Sequence, residues 1–194
     1  MSEIQLRPQI DEELVTALRV GDELLISGLV YTARDRAHRY LIEEVNPEDL
    51  AFHLQGGVIY HCGPLVRKEH DGWRVVSAGP TTSSRMNPWT PQLLSKYGPR
   101  VILGKGGMNQ TVGEALQAQK AVYCGLVGGA AVVLARAVRR VRNVYMLEDF
   151  GSPEAIWEFE VERLSALVTM DAHGGNLHAD VKARSRAAYQ RILG

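Results

Sequence analysis

The sequence predicts an α/β fold: a single compact domain over residues 1–194 with mixed strand order. Short apolar runs of strand character alternate with amphipathic helical stretches and do not segregate into separate halves. A chain of 194 residues suits one domain and is long enough to bury a real core. No internal repeat or low-complexity linker divides it.

Val20 to Tyr31 (VGDELLISGLVY) opens with a Gly-Asp turn and continues as an apolar strand. In RDRAHRYLIEEV, the apolar residues Ala37, Tyr40, Leu41 and Val45 follow helical spacing, with Asp35 placed favourably in the first turn. GGVIYHCG reads as a short buried strand closed by glycines. LVRKEHDGWRVVSAG reads as two strands joined at His70-Asp71-Gly72, a hairpin signal. Pro91 to Tyr97 is expected to be a helix and PRVILG a buried strand. KGGMNQTVGEALQAQKA runs from a glycine-rich loop into a helix, AVYC is another short strand, and GLVGGAAVVLARAVRRV begins as a tight helix. Beyond it the pattern predicts a strand, a loop at Gly151-Ser152-Pro153, a short helix through Ala155 to Trp157, then a further strand. The tail HADVKARSRAAYQRILG reads as a surface helix with apolar Val181, Ala188 and Ile192.

Composition excludes several functions. With 22 basic and 22 acidic residues the net charge is zero, which provides no footprint for nucleic acid or an anionic membrane. The longest apolar stretch is interrupted by glycines and Arg136 and is too short to span a bilayer. The charged N-terminus lacks the apolar centre of a signal peptide, so the chain reads as cytoplasmic. The two cysteines, Cys62 and Cys124, lie far apart and form no CxxC motif, so buried, reduced thiols are expected. An iron–sulfur cluster needs three or four thiolates, and this chain alone cannot hold one.

Two stretches stand out. GPTTSSRM at 79–86 places four hydroxyls, Thr81, Thr82, Ser83 and Ser84, beside Arg85. LGKGGM at 103–108 places Lys105 among glycines. Small residues that allow close backbone approach, together with donors and a cation, suit a carboxylate or phosphate. Either stretch alone is also compatible with an ordinary turn; two of them point toward a site. Nucleotide motifs fail on spacing: GKGGMN lacks the third glycine of GxGxxG, and no GxxxxGK[ST] occurs. HExxH and GxSxG are absent. His173 and His178 flank a double glycine and read as a loop, not a metal clamp.

YTARDRAH, VIYHCGPLV, SAGPTTSSRMNPW, VILGKGGM and LEDFGSPEAIWEFEVE resemble the beta part of class I, iron–sulfur-dependent fumarate hydratases and L-tartrate dehydratases. The resemblance runs from about Arg7 onward. It implies a swivelling β/β/α domain and a hydro-lyase that reversibly hydrates fumarate to L-malate, active only with an alpha subunit. It also implies a [4Fe–4S] cluster held by that alpha subunit and none bound by this chain. Arg34, Arg85 and Lys105 match the family's substrate-contacting cations, and Thr81 matches the hydroxyl assigned as base at malate's C3. Charge-assisted contacts of this kind contribute about 1.5–3 kcal/mol each and can also stabilise an aci-carboxylate. A threonine needs nearby cations to act as a base. His38, four residues after Arg34 on the same helix face, is the second proton-carrier candidate because its ordinary pKa suits neutral pH; its alternative is a structural hydrogen bond.

The implied partners are the alpha subunit and a small dicarboxylate, in a hetero-oligomer, or a homodimer when isolated. L-tartrate dehydratase is the alternative within the class, and RMNPWTP looks more fumarase-like. The alternative of another class is a stand-alone anion-binding or regulatory module. The joint presence of Arg34, Thr81, Arg85 and Lys105 favours the enzyme.

Overall fold

The computed structural model describes residues 2–6 and 10–193. Outside the described residues lie Arg7, where the family resemblance begins, and Gly194, which ends the expected tail helix.

The first half contains β1 (Ser2–Leu6), α1 (Glu12–Ala17), β2 (Glu23–Thr32), α2 (Asp35–Glu43), β3 (Val58–Tyr60), β4 (Leu65–Glu69), β5 (Gly72–Ser77) and α3 (Thr90–Tyr97). The second contains β6 (Val101–Gly104), α4 (Gln110–Ala118), β7 (Val122–Gly125), α5 (Ala131–Ala135), β8 (Val138–Tyr145), α6 (Leu147–Phe150), β9 (Ile156–Met170) and α7 (Leu177–Leu193). Local signals set several boundaries. The Asp11 and Asn109 side chains accept amide hydrogen bonds at the starts of α1 and α4. Gly98 closes α3 in a left-handed conformation (φ 61°). The β4–β5 hairpin turns at His70-Asp71, as its sequence signal predicts.

Strands β2, β3, β6 and β7 run parallel, side by side. Strand β9 then pairs antiparallel with both β7 and β2, which closes these five strands into a ring. Side-chain alternation sorts the core. Val58, Tyr60, Val101, Leu103, Val122 and Cys124 belong to the interior cluster, against which the hairpin packs Trp73 and Val75. The intervening Ile59 packs with Ala37 and Leu41 of α2 and with Leu93 of α3. Ile102 and Tyr123 pack with Leu94, Val112 and Leu116. The result is a layered mixed α/β domain, with the hairpin on one side of the ring and α2–α4 on the other.

Strand β9 needs a correction of phase to stay in this core. Trp157, Phe159 and Val161 face inward on odd positions, Leu164, Ala166 and Val168 on even ones. The switch is a bulge at Glu162-Arg163, where the β2 pairing shifts and Arg163 takes φ 53°. The expected helix through Ala155 to Trp157 is not formed: Ile156 and Trp157 open β9, and the helical turn precedes the loop, as α6. The run IWEFEVE alternates aromatic and branched residues with glutamates, and that period of two prevails.

Candidate functional site

The parallel strands end at one edge, and the residues that follow them build the site. Ala33-Arg34 follows β2, His61 follows β3, and Lys105 follows β6. Backbone bonds continue the pairing past the strand ends: Ala33 donates to the Tyr60 carbonyl (2.9 Å) and His61 to the Leu103 carbonyl (2.8 Å). The carboxyl ends of parallel strands are a recurrent place for ligands in α/β sheets.

The GPTTSSRM loop is laid across this edge by its backbone. The Thr81 amide donates to the His61 carbonyl (2.7 Å) and the Ser83 amide to the Lys105 carbonyl (3.0 Å). Thr82 and Lys105 form an isolated parallel bridge. Thr81 and Lys105, 24 positions apart in sequence (105 − 81), therefore sit on adjoining segments. Close approach is possible because position 104 is glycine: a Cβ there would stand 1.9 Å from the Ser83 hydroxyl.

The arginines join the same edge through two carboxylates. Arg85 lies on a 3-10 turn (Ser83–Met86) and grips Asp35 with two nitrogens, Nε to Oδ1 at 3.0 Å and Nη2 to Oδ2 at 2.8 Å. Arg34 pairs with Glu154 at 3.2 Å and has its Nε 4.0 Å from Asp35. The Arg34 side chain passes over Gly63, where a Cβ would lie 2.5 Å from Nη1. The structure thus brings Arg34, Thr81, Arg85 and Lys105 to one edge. Arg34 and Arg85 are held by carboxylates; Lys105 makes no salt bridge among the described residues. The Arg34 and Arg85 side chains are both partly exposed at this edge.

His38 lies beneath this surface, with no exposure. Its Nδ1 is 2.9 Å from the Arg34 carbonyl oxygen, an atom that only accepts, so Nδ1 carries the proton and Nε2 is a bare lone pair without a partner among the described residues. Its ring meets that of His61 edge-on at 5.0 Å. This is the structural hydrogen bond weighed as its alternative role. His61 is equally buried, with Nδ1 2.9 Å from the Ser83 hydroxyl. Tyr123 donates its one proton to the Gly106 carbonyl (2.8 Å), and its oxygen lies 2.9 Å from that of Ser83. Ser83 then donates to Tyr123, and His61 Nδ1–H to Ser83, so that neither the His38 nor the His61 ring is left with a buried, unpaired N–H among the described residues.

Sequence reasoning missed two members. Glu154 sits inside the quoted LEDFGSPEA run, where its charge was the available signal. Tyr123 had none, since AVYC reads simply as a buried strand.

Burial lowers the His38 pKa to about 4, and burial, with a smaller contribution from neighbouring His38, holds that of His61 well below the ordinary histidine range. The unfolded chain therefore binds protons that the folded one rejects, and stability falls as pH drops below about 6.5. For His38 alone the loss approaches roughly 3 kcal/mol by pH 4. Urea unfolding at pH 7.5 and pH 5 is expected to show the lower midpoint at pH 5. His38→Gln should flatten that difference; an unchanged slope would remove His38 as its source.

The cysteines do not fit an iron–sulfur cluster. Cys62 and Cys124 are buried on either side of β6, and burial pushes the Cys62 thiol up to about 12 and the Cys124 thiol up as well. Among the described residues, no group of three or more His, Cys, Asp or Glu side chains could hold a metal ion. Nor is any helix among them long and apolar enough to cross a membrane.

A family model described as "Fumarase C-terminus" matches residues 1–181. Over 183 residues the chain is 44% identical to a putative fumarate hydratase class I of Geobacillus stearothermophilus, covering 94% of this chain and 35% of that protein. It is 40% identical over 182 residues to a putative L(+)-tartrate dehydratase subunit beta of Methanocaldococcus jannaschii, covering 93% of each. With the L(+)-tartrate dehydratase subunit beta of Escherichia coli K12 it shares 38% over 178 residues, covering 91% of this chain and 87% of that one. The chain thus spans about a third of the first relative and nearly all of the other two.

Proposed function

Since this chain belongs to the fumarase C-terminal family, we propose that it is the beta-type half of a hydro-lyase that adds water reversibly to fumarate to form L-malate. The meeting of Arg34, Thr81, Arg85 and Lys105 at one open strand edge carries this reading. Lys105 and the guanidinium edges left free by Asp35 and Glu154 bind the substrate carboxylates. Asp35 and Glu154 keep the two arginines oriented, so that little reorganisation is needed when negative charge builds on a carboxylate. Thr81 holds the proton at its hydroxyl oxygen, removing it from C3 of malate and returning it to fumarate in the reverse direction. For this the hydroxyl first gives its own proton to water, and the charge of Lys105, on the segment bridged to Thr82, favours the resulting alkoxide. The metal chemistry and the facing wall would come from an alpha-type partner, a reading supported by the subunit-beta names of two relatives and by the chain's having only two cysteines.

L-tartrate is the second reading, favoured by the two relatives of matching length, whose names both specify tartrate dehydratase. The test is anaerobic reconstitution with an alpha-type chain and assay of fumarate and L-tartrate side by side. The purified chain alone is expected to show no hydratase activity and to bind no cluster. Activity without the partner would overturn the half-site reading, and a preference for L-tartrate would select the second substrate.

A further inference from the structure

Away from the candidate site, a groove of about 680 Å³ lies between the β4–β5 hairpin and β8. Trp73, Val75 and Val141 help to form it, and five arginines line it: Arg67, Arg74, Arg136, Arg139 and Arg140. Glu69 is the sole carboxylate in its lining. In a chain whose charges sum to zero, five cations against one anion in a single concavity is a strong local excess. Part of it is compensated: Arg67 and Arg74 share Glu69 (3.0 and 3.8 Å), and Arg139 holds Glu162 (2.6 Å). Arg136 and Arg140 have no carboxylate partner among the described residues. Like charges gathered around a concave surface with apolar walls focus a positive potential, and an anion seated there relieves their repulsion.

We propose that this groove is a second anion site, for a compact small molecule carrying three or more negative charges on phosphate or carboxylate groups. Its volume falls within the range of small-ligand pockets, roughly 300–1,000 Å³. Guanidinium forks favour oxyanions of either kind. Several cations spread around such a volume suit a branched or extended polyanion better than a lone ion. Glu160 and Glu162, which pair with Arg142 and Arg139 beside the groove, oppose a long anionic backbone such as nucleic acid. The inference is independent of the proposed reaction, because it concerns this chain without a partner or substrate.

Calorimetric titration of the purified chain at low ionic strength, with inorganic tripolyphosphate and separately with citrate, is the test. A saturable site that persists in Lys105→Ala is expected for at least one of them, and the tighter ligand at that site identifies the preferred oxyanion. Removing both unpaired cations with Arg136→Ala and Arg140→Ala should weaken binding about five- to thirtyfold, since exposed guanidinium contacts are individually modest. Lys105→Ala, which lies outside the groove lining, serves as the background in which only the groove's binding is read. Both replaced arginines are exposed, and Arg140→Gln alone should give the same ordering if the double variant fails to fold. No saturable binding of either anion would overturn the proposal and leave the groove to an acidic protein face. Loss of binding in Lys105→Ala but not in the double variant would also overturn it, by placing the anion at the candidate site. Neither failure would touch the half-site reading, which rests on reconstituted activity.

Discussion

Thr81→Val in the reconstituted enzyme is expected to lower kcat by about 10³-fold while KM changes by less than about threefold, the pattern of a lost proton-transfer group. Valine keeps the branched shape and removes the hydroxyl, so the loop need not rearrange. The amide bond from Thr81 to the His61 carbonyl and the neighbouring Thr82–Lys105 bridge are backbone features that the substitution leaves in place. Circular dichroism and the unfolding midpoint should therefore match the parent. Steady-state kinetics in the malate-to-fumarate direction, with C3-deuterated malate as a second probe, provides the measurement. A variant with near-normal kcat would eliminate Thr81 as the base. His38 would then be the remaining candidate, although it is buried under the Arg34 turn and would have to be uncovered to act.

Lys105→Ala should reduce kcat/KM by about 10²–10³, with both kcat and KM affected, because a carboxylate clamp acts in the ground state and more strongly in the transition state. Of the three cations, it is the one without a carboxylate partner among the described residues. Its charge is fully available to substrate, whereas that of Arg34 or Arg85 is shared with Glu154 and Asp35. Lys105→Arg should recover only part of the loss, since a planar fork does not reproduce a compact ammonium. A Lys105→Ala enzyme with unchanged kcat/KM would place the clamp on the arginines alone.

Much of the fold was legible because most elements are local statements. The apolar spacing around Ala37 and Leu41, the Asp71-Gly72 turn, and the glycine-bounded runs VIY and VILG each declare their structure within a dozen residues. The closure of β9 onto β2 was not legible, because a ring depends on pairing between distant segments. The bulge at Arg163 was hidden for a related reason: the change of phase reads as a loss of alternation. For the candidate site, the motifs marked Thr81, Arg85 and Lys105, and the family resemblance added Arg34. The carboxylates that hold the arginines, and the burial of His38 and His61, depend on which loops meet above the strand ends. No spacing rule encodes that.

The β2–β9 seam also bears on how the chain reaches its native state. It pairs Val30 with Phe159, residues 129 positions apart (159 − 30). During synthesis, β2, β3, β6 and β7 can assemble as an open sheet, but β2 and β7 keep unsatisfied edges until β9 has emerged from the ribosome. Pairing at such long range carries a large loop-closure cost before any contact repays it, which slows the final step. The partly assembled sheet meanwhile exposes strand edges of the kind that recruit other chains. Closure of the ring therefore waits on β9, the last of its five strands along the chain.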